Sequence, residues 1–71
     1  MRIKISNLKD IRELVSQAQL VDGDVILSKG KFAVDAKSAL GVLSLDISDG
    51  ATIDFPTTAT DFAEFLSQFK V

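Results

Sequence analysis

Apolar residues recur along this chain at two different spacings, and the places where the spacing changes mark its elements. Ile3 and Ile5 alternate with Arg2, Lys4 and Ser6, a period of two that predicts a strand over 2–6 with one apolar face. Asn7 then stands where a helix N-cap belongs, with Asp10 at the capping-box spacing. Leu8, Ile11, Leu14, Val15 and Ala18 follow at three- and four-residue steps, the mark of a helix with one buried stripe, and Asp22-Gly23 stops it. A period of two returns in Asp24 to Ser28 and Lys31 to Ala36, where Val25/Leu27 and Phe32/Val34 each share a face. Joined by Lys29-Gly30, these runs read as a β-hairpin.

Lys37 to Leu45 reads as a short helix opened by Ser38, whose hydroxyl oxygen can accept from a free N–H of the first turn. Two turns do not stand alone in water, so packing must hold them. Leu40, Leu43 and Leu45 give this helix apolar surface, and Gly41 leaves part of one face bare, open to close approach by a partner. Asp49-Gly50 turns the chain into a strand over Ala51 to Phe55, which Pro56 ends. In the last helix Thr57 or Thr58 can serve as cap. Ala59, Phe62, Phe65, Leu66 and Phe69 form its stripe, and Asp61, Glu64 and Lys70 are placed to suit the helix dipole. The order β-α-β-β-α-β-α predicts one α+β domain over residues 1–71. Its form is an open-faced β-sandwich: a four-stranded antiparallel sheet with three helices on one face. Exposed strand edges in so short a chain could pair.

Composition narrows the function classes. With 46% hydrophobic residues the chain can fill one core, and without cysteine it has neither disulfides nor thiolate metal sites. The first residues alternate charged and apolar and do not read as a signal peptide, and no run approaches the ~20 apolar residues of a membrane span. A cytoplasmic protein with no membrane partner is the expectation. The net charge is −2, and it is uneven: residues 1–31 hold six basic and four acidic side chains, residues 32–71 two and six. An acidic chain with no Trp or Tyr and four of its five Phe in the last seventeen residues is a poor nucleic-acid binder. There is no histidine, so no Ser/His/Asp or Cys/His set can form. Asp46, Asp49 and Asp54 have neither calcium-loop spacing nor His or Cys company, and read as a solvated acidic surface. No enzyme activity, metal or cofactor is expected.

The stretch Lys37-Ser38-Ala39-Leu40-Gly41-Val42-Leu43-Ser44-Leu45, in this order of elements, resembles the HPr family, the small phosphocarriers of the bacterial sugar phosphotransferase system. Members carry Lys-Ser-Ile-Met-Gly-Val-Met-Ser-Leu at this place. Lys37, Ser38, Gly41, Val42, Ser44 and Leu45 match as they stand, while Ala39, Leu40 and Leu43 replace other apolar residues. The resemblance continues through Asp49-Gly50-Ala51-Thr52-Ile53, and upstream it takes in Asp24-Val25, Gly30-Lys31 and the apolar spacing of the first helix. Phosphocarriers use a histidine before the first helix, in a Gly-Ile-His-Ala-Arg-Pro-like loop. Here the aligned positions read Ser6-Asn7-Leu8-Lys9-Asp10, with Asn7 in place of the histidine and Lys9 in place of the arginine. An amide nitrogen is not a nucleophile at neutral pH, so phosphohistidine relay is excluded by composition.

The resemblance implies instead a regulatory or adaptor protein, as in histidine-less relatives whose serine is phosphorylated by a dedicated kinase and whose phosphorylated form binds a transcriptional regulator. Ser38 would be the phosphate acceptor, and Lys9, Ala39, Leu40 and Leu43 the contact surface. An HPr-type serine kinase, a transcriptional regulator or phosphotransferase-system components would be the partners. Plainer readings stand beside these. Ser38 caps its helix, Leu40 and Leu43 cover the core, and Asn7 is a cap. Asp35 and Asp46 would repel a phosphate on Ser38. Ala39, smaller than the family's residue, and the shortened loop at Asn7 favour a non-signalling interaction module that kept the fold.

Overall fold

A computed structural model describes residues 1–71. In chain order the elements are β1 (Arg2–Ile3), α1 (Leu8–Gln19), β2 (Ile26–Lys29), β3 (Phe32–Asp35), α2 (Ala39–Ser44), β4 (Ala51–Asp54) and α3 (Thr60–Leu66), followed by one turn of 3₁₀ helix at Ser67–Phe69. The strands form one four-stranded sheet in the order β1-β4-β2-β3, every neighbouring pair antiparallel. Ile3, Ile5, Val25, Leu27, Ala51 and Ile53 are buried on one side, where α1 supplies Leu14, Val15 and Ala18, α2 supplies Val42, and α3 supplies Phe62 and Leu66. The other side, with Arg2, Lys4, Ile26 and Asp54, is open to solvent. No charged or polar side chain is buried. This is the α+β open-faced sandwich that the periodicities predict.

Several local expectations are corrected. Regular β1 pairing stops at Ile3 because the next residues turn to other partners: Lys4 N–H bonds to the Phe69 carbonyl at 3.0 Å and Ile5 N–H to the Ile47 carbonyl at 3.4 Å. The hairpin loop is Gly30-Lys31, not Lys29-Gly30, since Lys29 pairs with Phe32. Gly30 has φ +59° and Lys31 no positive φ, as a two-residue loop with glycine first requires. Phe32 does share a face with Val34, but it is 69% exposed, at the hairpin end of β3. Leu8, in the predicted stripe of α1, is also largely exposed, six residues ahead of Leu14, the first buried residue of the helix.

The helix over Lys37 to Leu45 is regular only from Ala39 to Ser44. Neither Thr57 nor Thr58 caps α3. The two threonines lie in a turn closed by Ala59 N–H on the Pro56 carbonyl at 3.0 Å, which leaves Ala59 as a cap with no side-chain bond. The last helix does not run evenly to Lys70. It tightens at Ser67, whose hydroxyl bonds back to the Glu64 carbonyl at 2.6 Å, and a side chain that competes for helix carbonyls favours such a tightening. Beyond it Ile3 pairs with Lys70 as an isolated antiparallel bridge, so the chain's last residues lie along β1.

Candidate functional site

The positions singled out in the sequence fall on two helix N-termini. At the first, Asn7 is extended and caps α1: its Oδ1 accepts the Asp10 N–H at 2.9 Å and its Nδ2 donates to the Asp10 carboxylate at 2.7 Å. The expected N-cap is present, but the reciprocal bond of a capping box is corrected: the Asp10 carboxylate takes the Asn7 side-chain amide rather than its backbone N–H, so both polar ends of that amide are engaged locally. Lys9 is exposed in the first turn of α1, where it lines a shallow groove with Leu8, Arg12, Glu13 and Ser16.

At the second, Ser38 is also extended, and its Oγ accepts the Gly41 N–H at 3.2 Å. Its own N–H donates to the Asp35 carbonyl at 3.0 Å, and its carbonyl opens the helix by accepting Val42 N–H at 3.0 Å. The residue stays exposed, so the hydroxyl is both a cap and an accessible oxygen. Lys37 does not turn toward it. The Lys37 ammonium donates to the Val21 carbonyl at 2.8 Å, and the Lys37 carbonyl accepts from Gln19 Nε2 at 3.0 Å. These two bonds fix the start of α2 against the C-terminal end of α1.

Around Ser38, α2 divides cleanly. Val42 is fully buried, whereas Leu40 is 81% and Leu43 52% exposed. Ala39 is exposed as well, and residues three and four apart on a helix share a face, so Ala39, Leu40 and Leu43 make one outward surface. The expectation that Gly41 opens this surface to a partner is corrected. A side chain at Gly41 would meet Val34 Cβ at 3.4 Å and the Asp35 carbonyl at 3.5 Å. Its bareness therefore faces β3 and lets α2 sit down on the sheet. Lys9 is not brought to this surface by any bond. It lies about 15 Å along the α1 axis from the Gln19–Lys37 junction, at ~1.5 Å per residue.

Of the acidic residues, Asp35 accepts the Lys37 N–H at 2.9 Å and so lies close to Ser38, but Asp46 is past the opposite end of α2. Six residues of helix span about 9 Å, so the expected repulsion from Asp46 is corrected; Asp35 is the one that remains. Asp46 accepts from the Ser48 hydroxyl at 2.6 Å and the Ser48 N–H at 3.1 Å. Those bonds, the hydroxyl foremost, hold its carboxyl below the ordinary 3.8. Asp49 pairs with Lys29 at 2.7 Å, and that charged hydrogen bond lowers its pKa too. Lys29 also donates to the Asp46 carbonyl, tying the hairpin to the loop after α2. Sequence reasoning missed this Lys29 hub; only the opposite charges at 29 and 49 hinted at it.

A family model described as "PTS HPr component phosphorylation site" matches residues 8–70, nearly the whole chain. The chain belongs to the HPr family. No curated protein and no solved structure matches it. Within an HPr-like protein of the phosphotransferase system, the match begins at Leu8, directly after Asn7. It takes in Ser38 and the outward surface of α2. No helix is long and apolar enough to cross a membrane.

Proposed function

We propose that this HPr-family protein works as a regulatory or adaptor partner rather than as a phosphohistidine carrier, with Ser38 as its phosphate acceptor and α2 as its docking surface. The observation that carries this reading is the pairing on one short helix of an exposed seryl oxygen with two exposed leucines, Leu40 and Leu43. Exposed leucines grouped on one helix face, rather than scattered singly, are of the kind that mark an interaction surface. No histidine is present to accept phosphate, and the Asn7 amide is held in its cap by Asp10.

The chemistry is a transfer of the γ-phosphoryl group of ATP to Ser38 Oγ by an HPr-type serine kinase, the seryl proton passing to the kinase's base and ADP leaving. The phosphate replaces the Gly41 bond with stronger charge-assisted ones from the first N–H groups of α2. It then adds two charges beside Leu40 and Leu43, so that a transcriptional regulator or phosphotransferase-system component can tell the two forms apart. Ala39, Leu40 and Leu43 form the contact face, and Lys9 extends it only for a partner broad enough to reach the first turn of α1.

Amide chemical shifts of the labelled protein, followed while an HPr-type serine kinase is added without ATP, test the docking surface. Shifts centred on residues 38–43, lost in Leu40→Asp, are expected; shifts confined to other elements contradict it. A second reading, an interaction module without signalling, is favoured by Ala39, which presents less surface than the isoleucine of the family pattern. Under that reading Leu40 and Leu43 still bind, but Ser38 stays unmodified.

A further inference from the structure

The two edges of the sheet are of opposite kinds. The outer edge of β1 is covered by the end of the chain, through Lys4 N–H to the Phe69 carbonyl at 3.0 Å and Val71 N–H to the Arg2 carbonyl at 3.1 Å. The outer edge of β3 is bare. It has no proline, and its pairing with β2 runs through Phe32–Asp35 without a bulge; only its four-residue length and the charges of Lys31 and Asp35 limit it as an edge.

The phase of the β2–β3 ladder says which groups are free. The two-residue loop closes on the Lys29–Phe32 pair, and Ala36 N–H donates to the Val25 carbonyl at 2.9 Å. Hydrogen-bonded pairs alternate along an antiparallel ladder. Phe32, Val34 and Ala36 therefore direct their backbone groups at β2, while Ala33 and Asp35 direct theirs outward. The Asp35 carbonyl accepts Ser38 N–H, which leaves Ala33 with both groups unpartnered and Asp35 with its N–H.

We propose that β3 pairs antiparallel with β3 of a second copy, about a twofold axis through Ala33, joining the two sheets into one. Outward-directed residues must meet outward-directed residues, so the axis passes through a residue rather than between two. At Ala33 it keeps the whole strand paired and sets Phe32 opposite the partner's Val34 and Lys31 opposite the partner's Asp35. The side chains agree with this register. Phe32, 69% exposed in the single chain, and half-buried Val34 lie on the same side of the sheet. Asp35 is exposed on the other side, and Lys31, exposed and of opposite charge, stands in the turn just ahead of β3. Twofold symmetry makes each contact twice. An axis through Val34 would set Lys31 against the partner's Lys37, and one through Phe32 would leave only the hairpin tip paired. This inference is independent of any role for Ser38.

One short strand pair covers less than the ~1,200 Å² of a stable interface, so the dimer is a weak one that forms at high concentration. Sedimentation of the whole chain from about 10 μM to 2 mM tests it, for the wild type, Lys31→Glu, Asp35→Lys and Ala33→Pro. Proline is tolerated on an edge strand but removes the outward N–H at the axis. The wild type is expected to rise from 7.7 kDa toward twice that mass. Each charge variant alone should associate at least about tenfold more weakly, and an equimolar mixture of the two should regain the dimer, because every cross-pair then joins opposite charges. Ala33→Pro, checked for fold by circular dichroism, should stay monomeric. A wild type that remains at 7.7 kDa up to 2 mM overturns the proposal, as does an Ala33→Pro variant that associates like the wild type. If Asp35→Lys loosens the turn before Ser38 and does not fold, Lys31→Glu and Ala33→Pro still decide the matter.

Discussion

Ser38 uses one oxygen for two purposes: it closes the first turn of α2 through Gly41 N–H, and it remains open to solvent. Replacing it with alanine removes the cap, which costs about 1 kcal/mol. Aspartate caps as well as serine, so Ser38→Asp should leave stability near the wild type while adding charge. Denaturant unfolding of the three proteins checks this; equal midpoints for wild type and Ser38→Ala would show that the bond contributes nothing. Asp46 and Asp49 make a second prediction at this scale. Their carboxyls titrate below the ordinary 3.8 in the folded chain, held down by the Ser48 hydroxyl and by Lys29 respectively. A group whose folded pKa is depressed contributes stability above its unfolded pKa and loses it as pH falls through the folded value. Stability should therefore decline below about pH 4. In a carboxyl NMR titration, Lys29→Ala should return Asp49 toward its ordinary midpoint; an unmoved midpoint would remove the ion pair as the cause.

Elements were legible in the sequence wherever a long apolar period met a local stop. The 3.6-residue stripe of α1, its Asn7–Asp10 cap and the Ser38 cap of α2 all depend on side chains within four residues of one another, so sequence spacing carries them. What was not legible depends on distant partners. No local pattern shows that Thr57 and Thr58 are drawn into a turn by Pro56, or that Gly41 faces Val34 rather than solvent. The stripe of α3 illustrates both cases. Phe55 and Phe62 meet edge-on at 5.3 Å, Phe62 and Phe65 stack at 6.2 Å, and Phe65 and Phe69 meet edge-on at 5.6 Å. The spacing of 62, 65 and 69 predicts that row, but not that Phe55, outside the helix, begins it. Phe62 is the buried member, so Phe62→Ala should cost about 3–5 kcal/mol, whereas Leu40→Ala, which removes an exposed side chain, should stay within about 0.5 kcal/mol. Thermal unfolding of the two variants separates them; comparable losses would mean that Leu40 covers the core after all.

At the scale of the whole molecule, the fold follows from burying one face of a four-stranded sheet beneath three helices and leaving the other face polar. The pairing of the chain's end with β1 was hidden, because Lys70 and Val71 resemble nothing but the tail of a helix. Hydrogen exchange should show the amides of Lys4 and Val71 protected well beyond their sequence neighbours; rapid exchange at both would mean that the end does not hold this edge. The candidate site was legible at Ser38, Ala39, Leu40 and Leu43, which one short helix gathers. It was less so at Lys9, which the fold leaves at the far end of α1.

The most direct test of the functional account is incubation with ATP, Mg²⁺ and an HPr-type serine kinase, read by intact mass with Ser38→Ala beside the wild type. The account predicts one added phosphate on the wild type and none on the variant. No added mass, with the same kinase active on a histidine-bearing HPr, would contradict it and leave α2 as a binding surface without a switch.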